Sequence, residues 1–332
     1  MSEGHAWFLS ILAAVVPAIV YVLVLWWLDR YEKEPRRLLW SAFFWGAVPA
    51  VILSLIGETI LEQPLAGMGE SAADLISSSL FAPMIEELAK GIAVLIIFLL
   101  SRKEFDGILD GIIYGATIGF GFAMTENVFY FVDSFAEGGV EGLTTVILMR
   151  SVVFGLNHAL FTSVLGASLG YARQARSGLL RWVAPVFGLL GAMLLHGIHN
   201  LFASLSGEMC FGLVISAISD WGGVLVILVV MWLAARQEKS WITTSLRPEV
   251  DNGLISQADY DMICSYRRRQ AALWRARLNL DRGEARRVDL LTTLATELAF
   301  KIHQGDDKTA QKLRGQIIAL GGSPAAQGGT NG

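Results

Sequence analysis

Residues 81–100 read FAPMIEELAKGIAVLIIFLL. A helix of roughly twenty apolar residues crosses a bilayer core, and this stretch has that length. Three charged residues interrupt it: Glu86, Glu87 and Lys90. Glu86 and Lys90 are four apart, so they share a helix face and can pair. An ionisable side chain at the centre of a membrane helix costs about 3 kcal/mol on insertion scales, and such groups turn toward the bundle interior and mark a function.

The rest of the chain agrees with a membrane setting. Of its 332 residues, 54% are hydrophobic and only 17% are charged, against about 25% charged in an ordinary soluble domain. Mean hydropathy is +0.51. The apolar residues fall in blocks, which predicts an all-α polytopic transmembrane bundle of about seven spans. They run approximately over 7–28, 38–61, 75–100, 107–132, 144–171, 182–204 and 211–235. Basic residues alternate between the loops. Arg30, Lys33, Arg36 and Arg37 follow the first span, Arg102 and Lys103 the third, Arg173, Arg176 and Arg181 the fifth, and Arg236 and Lys239 the seventh. The N-terminus and the loops after spans two, four and six carry no Lys or Arg. Basic loops stay cytoplasmic, so the N-terminus is expected outside and the C-terminus inside. The start lacks a basic n-region, so no cleavable signal is expected and the first span stays. Cys210 and Cys264 fall on opposite sides of the membrane on this topology and are not expected to pair.

The sequence divides into a bundle over 1–235, a helical cytoplasmic module over 236–321, and a disordered end over 322–332. Fifteen of the 26 Lys and Arg residues lie beyond residue 235. Segments 256–280, 283–303 and 306–320 show helical periodicity. The run YRRRQAALWRARLNL reads as a solvated basic face, with contact to anionic lipid as the alternative. Eleven acidic residues in the same region argue against nucleic acid as a partner.

Further polar residues fall in the expected spans: Glu126, Arg150, His158, His196, His199, Asn127, Asn157 and Asn200. His196 and Asn200 are four apart, and Gly188 and Ala192 extend their stripe. Small residues let membrane helices approach closely. Gly107, Gly111, Gly115 and Gly119 form such a ladder on the fourth span, and Glu126 returns to that face two turns on. Gly155, Ala159, Thr162 and Gly166 flank His158 on the fifth. At 1.5 Å per residue, Glu86 lies roughly 16 Å below the outer surface, Glu126 roughly 9 Å, His158 roughly 21 Å and His196 roughly 12 Å. Two carboxylates and two imidazoles can therefore meet in the outer half of the membrane. Arg150 sits near an outer helix end and reads as a snorkelling residue.

Such a cluster can hydrolyse a peptide bond in two ways. A carboxylate acts as general base on water, with histidines and an amide holding the water or the oxyanion. Alternatively, Glu and His ligate zinc, which keeps a position open for water. The chain has no HExxH motif, and its one G-x-S-x-G match, at residues 166–170, lies within an expected membrane helix rather than at a strand-to-helix elbow. A proton- or cation-coupled transporter or a non-catalytic scaffold is the competing reading. Transporters usually show internal repeats around a midplane site, and this chain shows neither.

Four ordered motifs now carry a resemblance. MIEELAKG holds an EExxK pattern at Glu86, Glu87 and Lys90, and DGIIYGATIGFGFAMTENVFYF holds FxxxE at Phe122 and Glu126. NHALFTSVLGASLGYAR supplies His158 and LLHGIHNLF supplies His196. Over roughly residues 15–235 the chain resembles the PrsW family of intramembrane proteases, distant relatives of the CAAX prenyl proteases. The resemblance implies cleavage of membrane-anchored proteins at the extracytoplasmic side of a bacterial inner membrane, with an anti-sigma factor as the type substrate. It implies that Glu86 and Glu87 include the base and that Lys90 orients them. Glu126, His158 and His196 would then bind water or a metal such as Zn2+, with Asn200 beside them. Some relatives have Asp where this chain has Asn200, and short relatives lack the C-terminal module.

Overall fold

The computed structural model describes residues 2–31, 33–207, 209 and 211–321. Among them every regular element is helical. The chain forms two compact units. The larger comprises Met1–Leu28 and Glu34–Trp232, the smaller Asp29–Lys33 and Leu233–Gly332.

The larger unit contains α1 (Glu3–Leu28), α2 (Arg36–Trp45), α3 (Val51–Glu62), α4 (Glu70–Ile76), α5 (Ala82–Leu100), α6 (Ile108–Ile147), α7 (Asn157–Gln174) and α8 (Gly178–Ser204), followed by the first part of α9 (Gly212–Asp251). Three wide π-helical turns interrupt this sequence: Gly46–Ala50 between α2 and α3, Ser77–Phe81 before α5, and Leu148–Val153 after α6. Such turns are rare and concentrate near functional residues. Here one leads into the helix bearing Glu86 and another precedes the helix bearing His158.

Among the described residues five helical stretches are long and apolar enough to cross a membrane: Glu3–Leu28, Arg36–Leu65, Ile108–Gln174, Gly178–Gly207 and Gly212–Asp251. The third of these doubles back. Gly139 takes φ +61°, a conformation that favours glycine, and beyond it Gly142 lies against the carbonyl of Ser134. Residues eight apart in a straight helix are separated by about 12 Å, so the chain reverses here. The two limbs correspond to the fourth and fifth expected spans. The expected span at 75–100 is helical but is not one of the five, because three charges fall within α5.

Close backbone contact holds the limbs together. A Cβ at Gly111 would collide with the Gly166 carbonyl, and one at Gly119 with the carbonyl of His158. The glycine ladder thus seats the first turn of α7 directly on α6. The outer surface is apolar: Trp7, Phe8, Leu100, Trp182 and Phe187 are all exposed. A polytopic bundle in lipid has this arrangement, and its helices associate by packing rather than by the hydrophobic effect.

The smaller unit has the opposite polarity. It joins the last part of α9 to α10 (Gln257–Ile263), α11 (Tyr266–Leu278), α12 (Arg282–Gln304) and α13 (Asp307–Ala319). Ile242, Leu246, Ile263, Leu298, Ala299 and Ile317 form its core. One expected helix, 256–280, is broken into α10 and α11. Ser265 causes the break, because its hydroxyl accepts from the Arg268 amide and starts a new helix. Cys264 is a free, buried thiol. Cys210 and the 322–332 end lie outside the described residues.

Candidate active site

The site starts from the inward face of α5. Glu86, Glu87 and Lys90 are 5%, 1% and 0% exposed, so none of their charges is solvated by bulk water. Lys90 Nζ lies 3.3 Å from Glu86 Oε2, the pairing expected from a four-residue spacing. It is closer still to Glu87 Oε1, at 2.6 Å. Buried charges persist only where partners replace their hydration, and one ammonium here serves two carboxylates. The ring of Phe122 covers the ammonium, with its centroid 4.2 Å away.

Glu87 is held from two further helices. Thr162 Oγ1 on α7 donates to its Oε2 over 3.0 Å, and His196 Nδ1 on α8 lies 3.0 Å from its Oε1. A carboxylate can only accept, so Nδ1 carries the proton and His196 Nε2 keeps its lone pair. That nitrogen points toward Glu86, 3.8 Å from Oε2. Phe161 stacks on the imidazole at 4.7 Å and fixes its plane.

His158, in the first turn of α7, is held the other way round. Its Nε2 lies 2.8 Å from Glu126 Oε2, so Nε2 carries the proton. Its Nδ1 accepts from Lys90 over 3.2 Å and stands 3.8 Å from Glu86 Oε2. The two rings meet edge to face at 5.1 Å. Each imidazole thus has a carboxylate behind it and turns a lone pair toward Glu86. Ligand atoms of Glu86, Glu87, His158 and His196 all lie within 4.8 Å of one another.

Glu126 stands on the far side of His158. Arg150 Nη2 lies 2.5 Å from its Oε2, and Arg150 Nε donates to Asn127 over 2.7 Å. The expectation of a snorkelling Arg150 is therefore corrected. The reversal at Gly139 carries residue 150 back beside 126 and 127, and its guanidinium anchors the carboxylate that orients His158. Asn200 donates to the Ser78 carbonyl over 2.8 Å and lies outside the four-residue group.

A cavity of 840 Å³ reaches this cluster. Glu86, Glu126, Arg150, His158, His196, His199 and Asn200 line it, whereas Glu87 and Lys90 do not. His199 belongs to a second network that sequence spacing gave no means of finding. Its Nδ1 lies 2.7 Å from Asp220 Oδ2 on α9 and 3.0 Å from Ser216 Oγ, while Asn157 Nδ2 approaches the ring at 3.1 Å.

Comparison with known proteins identifies the family. A family model described as "PrsW family intramembrane metalloprotease" matches residues 34–235, the region that contains the side chains of the cluster described here. The chain is 28% identical over 235 residues to Protease PrsW of Bacillus subtilis (strain 168), covering 70% of this chain and 95% of that protein. It is 26% identical over 252 residues to Protease PrsW of Geobacillus kaustophilus, covering 76% of this chain and 100% of that protein. Identity to Protease PrsW of Clostridioides difficile is 29% over 190 residues, covering 57% and 76%. No solved structure matches the chain. It is an integral membrane peptidase and belongs to the PrsW family of intramembrane metalloproteases.

Proposed function

We propose that the cavity receives a segment of a membrane-anchored protein and that Glu86 activates the water that cleaves it. One observation carries this reading. The lone-pair nitrogens of His158 and His196 both stand 3.8 Å from Glu86 Oε2, where the cavity meets the buried charges. The carboxylate takes a proton from water as the water oxygen adds to the carbonyl carbon. When the C–N bond breaks, the same proton passes to the departing amine. The Asn200 amide lines the cavity wall and keeps one N–H beyond its bond to Ser78. That N–H can meet the carbonyl oxygen as it gains negative charge.

The residues fit a metal ion. Two imidazoles and a carboxylate, with a position left for water, form the nitrogen and oxygen donor set of catalytic zinc. Each histidine is oriented by a carboxylate on its other nitrogen, as metal-holding histidines are. Glu86, His158 and His196 would hold the ion, while Glu126 orients His158 and Glu87 orients His196 from outside that group. Bound there, the ion would polarise the scissile carbonyl and acidify the attacking water. Lys90 offsets the charge of the carboxylate pair, and Glu87 with Thr162 keeps the His196 ring in place.

On this reading the chain crosses the membrane seven times with its N-terminus outside, and residues 236–321 form a cytoplasmic module. The cut falls near the extracytoplasmic side of a bacterial inner membrane. An anti-sigma factor or similar envelope-signalling protein is the substrate class that the family resemblance implies. The test is cleavage of a membrane-anchored reporter by Glu86→Ala and His196→Ala variants, each expected to lose at least about 100-fold in rate. Undiminished cleavage in either variant removes the assignment. Zinc near one equivalent per purified chain, with cleavage abolished by chelation, is the expected metal result. Full activity in metal-free protein would leave Glu86 acting on water alone.

A further inference from the structure

The cavity extends well beyond the cluster, and one wall of it has no part in the mechanism above. Ser54, Glu58 and Glu62 of α3 all line it. They are four residues apart, so they form one stripe along the helix. Ser54 is 3% exposed, and its hydroxyl oxygen has no hydrogen-bond partner among the described residues. That is unusual twice over. A serine within a helix can satisfy its hydroxyl on the carbonyl one turn back, and a buried polar group left without a partner is destabilising.

One turn on, the half-buried Glu58 carboxylate makes no hydrogen bond or ion pair among the described residues, yet it feels the charges of Glu126 and Lys90. Glu62 accepts from the Ser77 hydroxyl. Asp74 of α4 lines the same cavity. Among the described lining residues Arg150 is the one permanent cation, and it is already paired with Glu126. The cavity thus presents Glu58, Glu62 and Asp74 without a matching cation. In a site with low-dielectric walls such an excess focuses a field that attracts positive charge.

We propose that Ser54, Glu58 and Glu62 form a subsite that receives a lysine or arginine side chain of the peptide being cleaved. This rests on the proteolytic reading of the same cavity. The incoming ammonium or guanidinium pairs with the Glu58 carboxylate and donates to the orphan Ser54 oxygen, while Glu62 and Asp74 draw it in from the mouth. A long basic side chain suits a lipid-flanked wall, since its methylenes lie along Leu55 and Val51 while its head meets the carboxylate. The preference would select substrates with a basic residue beside the scissile bond.

Binding and cleavage are measured separately to test this. The probes are the blocked tripeptides acetyl-Ala-Lys-Ala-amide and its norleucine counterpart, titrated against the full chain in detergent. The lysine peptide should bind at least tenfold more tightly than the norleucine peptide. Glu58→Gln should erase that advantage, and Ser54→Ala should reduce it severalfold. Glu86→Ala should keep it, because Glu86 is not part of the subsite. For cleavage, membrane-anchored reporters carry Lys, Gln or Glu beside the cut. Glu58→Gln should raise KM for the Lys reporter with little change in kcat, and Glu58→Lys should reverse the preference toward the Glu reporter. Equal binding of the two peptides by the unmodified protein overturns the subsite, even if the reporters are cut. Calcium or zinc ions that bind in a Glu58-dependent way and displace the lysine peptide would reassign the wall to a metal. If no reporter is cut but the lysine preference stands, the proteolytic reading fails and the cation site remains.

Discussion

The two units of this chain solve the same folding problem with opposite materials. The larger one puts apolar side chains outside and charges inside. Lys90 is 0% exposed while Leu100, on the same helix, is 81% exposed. The smaller one buries Leu246, Leu298 and Ile317 and exposes most of its arginines, with Arg269 the buried exception. The helix starts differ in the same sense. Ser256, Ser265, Asp281 and Asp306 each accept from the backbone at the start of α10, α11, α12 and α13. No N-cap side chain does so on α2 to α8. In water a helix must hide its apolar face, and water competes at its ends, so caps and a dry core both stabilise it. In lipid the surroundings already match the side chains, and specificity comes from glycine contacts and from the few polar groups. The charges that make the site are therefore also a principal tie between helices α5, α6, α7 and α8.

The largest expected effect follows from that double role. Lys90→Met leaves Glu86 and Glu87 buried side by side without a counter-charge. Removing one partner of a buried pair costs about 3–5 kcal/mol, and thermal unfolding of the detergent-solubilised protein should show a loss of that size. Adding Glu87→Gln should recover part of it. A Lys90→Met protein as stable as the parent would mean that the ammonium is not what holds the carboxylates.

In the smaller unit the corresponding change is apolar. Leu298 is fully buried in the core, and Leu298→Ala should cost about 2–5 kcal/mol through lost transfer energy and the cavity left behind. The comparison predicts that this loss stays local. Proteolysis or hydrogen exchange should open α10 to α13, while reporter cleavage by the larger unit persists. Simultaneous loss of both would show that the units do not fold independently.

How much of this was legible in the sequence follows from the same contrast. Charges in apolar blocks are conspicuous, so Glu86, Glu87, Lys90, Glu126, His158 and His196 could be singled out, and helical spacing put Glu86 with Lys90. Spacing within one helix cannot say which neighbour a side chain meets. Thr162 looks like an ordinary small residue in a packing stripe, yet it donates to Glu87. Asp220 sits in an apolar span with nothing near it in sequence to suggest His199. Arg150 reads as a helix-end residue until the reversal at Gly139 brings it to Glu126. The reversal itself was expected between the spans at 107–132 and 144–171, where the adjacent glycines at 138 and 139 fall; the pairing across it was not. In the smaller unit, periodicity located α10 to α13, and two boundaries were missed: α9 runs on to Asp251 instead of ending near 235, and the break between Cys264 and Ser265 is a cap. A serine inside a run of helix formers is easily read as a helix residue.

The smallest effect tests the caps themselves. Asp281 accepts from the Glu284 amide at the start of α12, over 2.9 Å. The first amides of a helix have no partner within it, and an Asp at this position supplies one and also complements the positive end of the helix dipole. Asp281→Ala should therefore cost about 1 kcal/mol, and Asp281→Asn less, because the amide oxygen still accepts. The loss should appear only in the unfolding of the smaller unit and should shrink for Asp281→Asn at all salt concentrations. Leu280, with φ +55°, precedes this cap in a left-handed conformation that a non-glycine residue seldom adopts. The capping bond is one of the contacts that can hold it there. Leu280→Gly should relieve that strain and offset part of the Asp281→Ala loss. If the two changes simply add, the left-handed turn is held by something other than the cap.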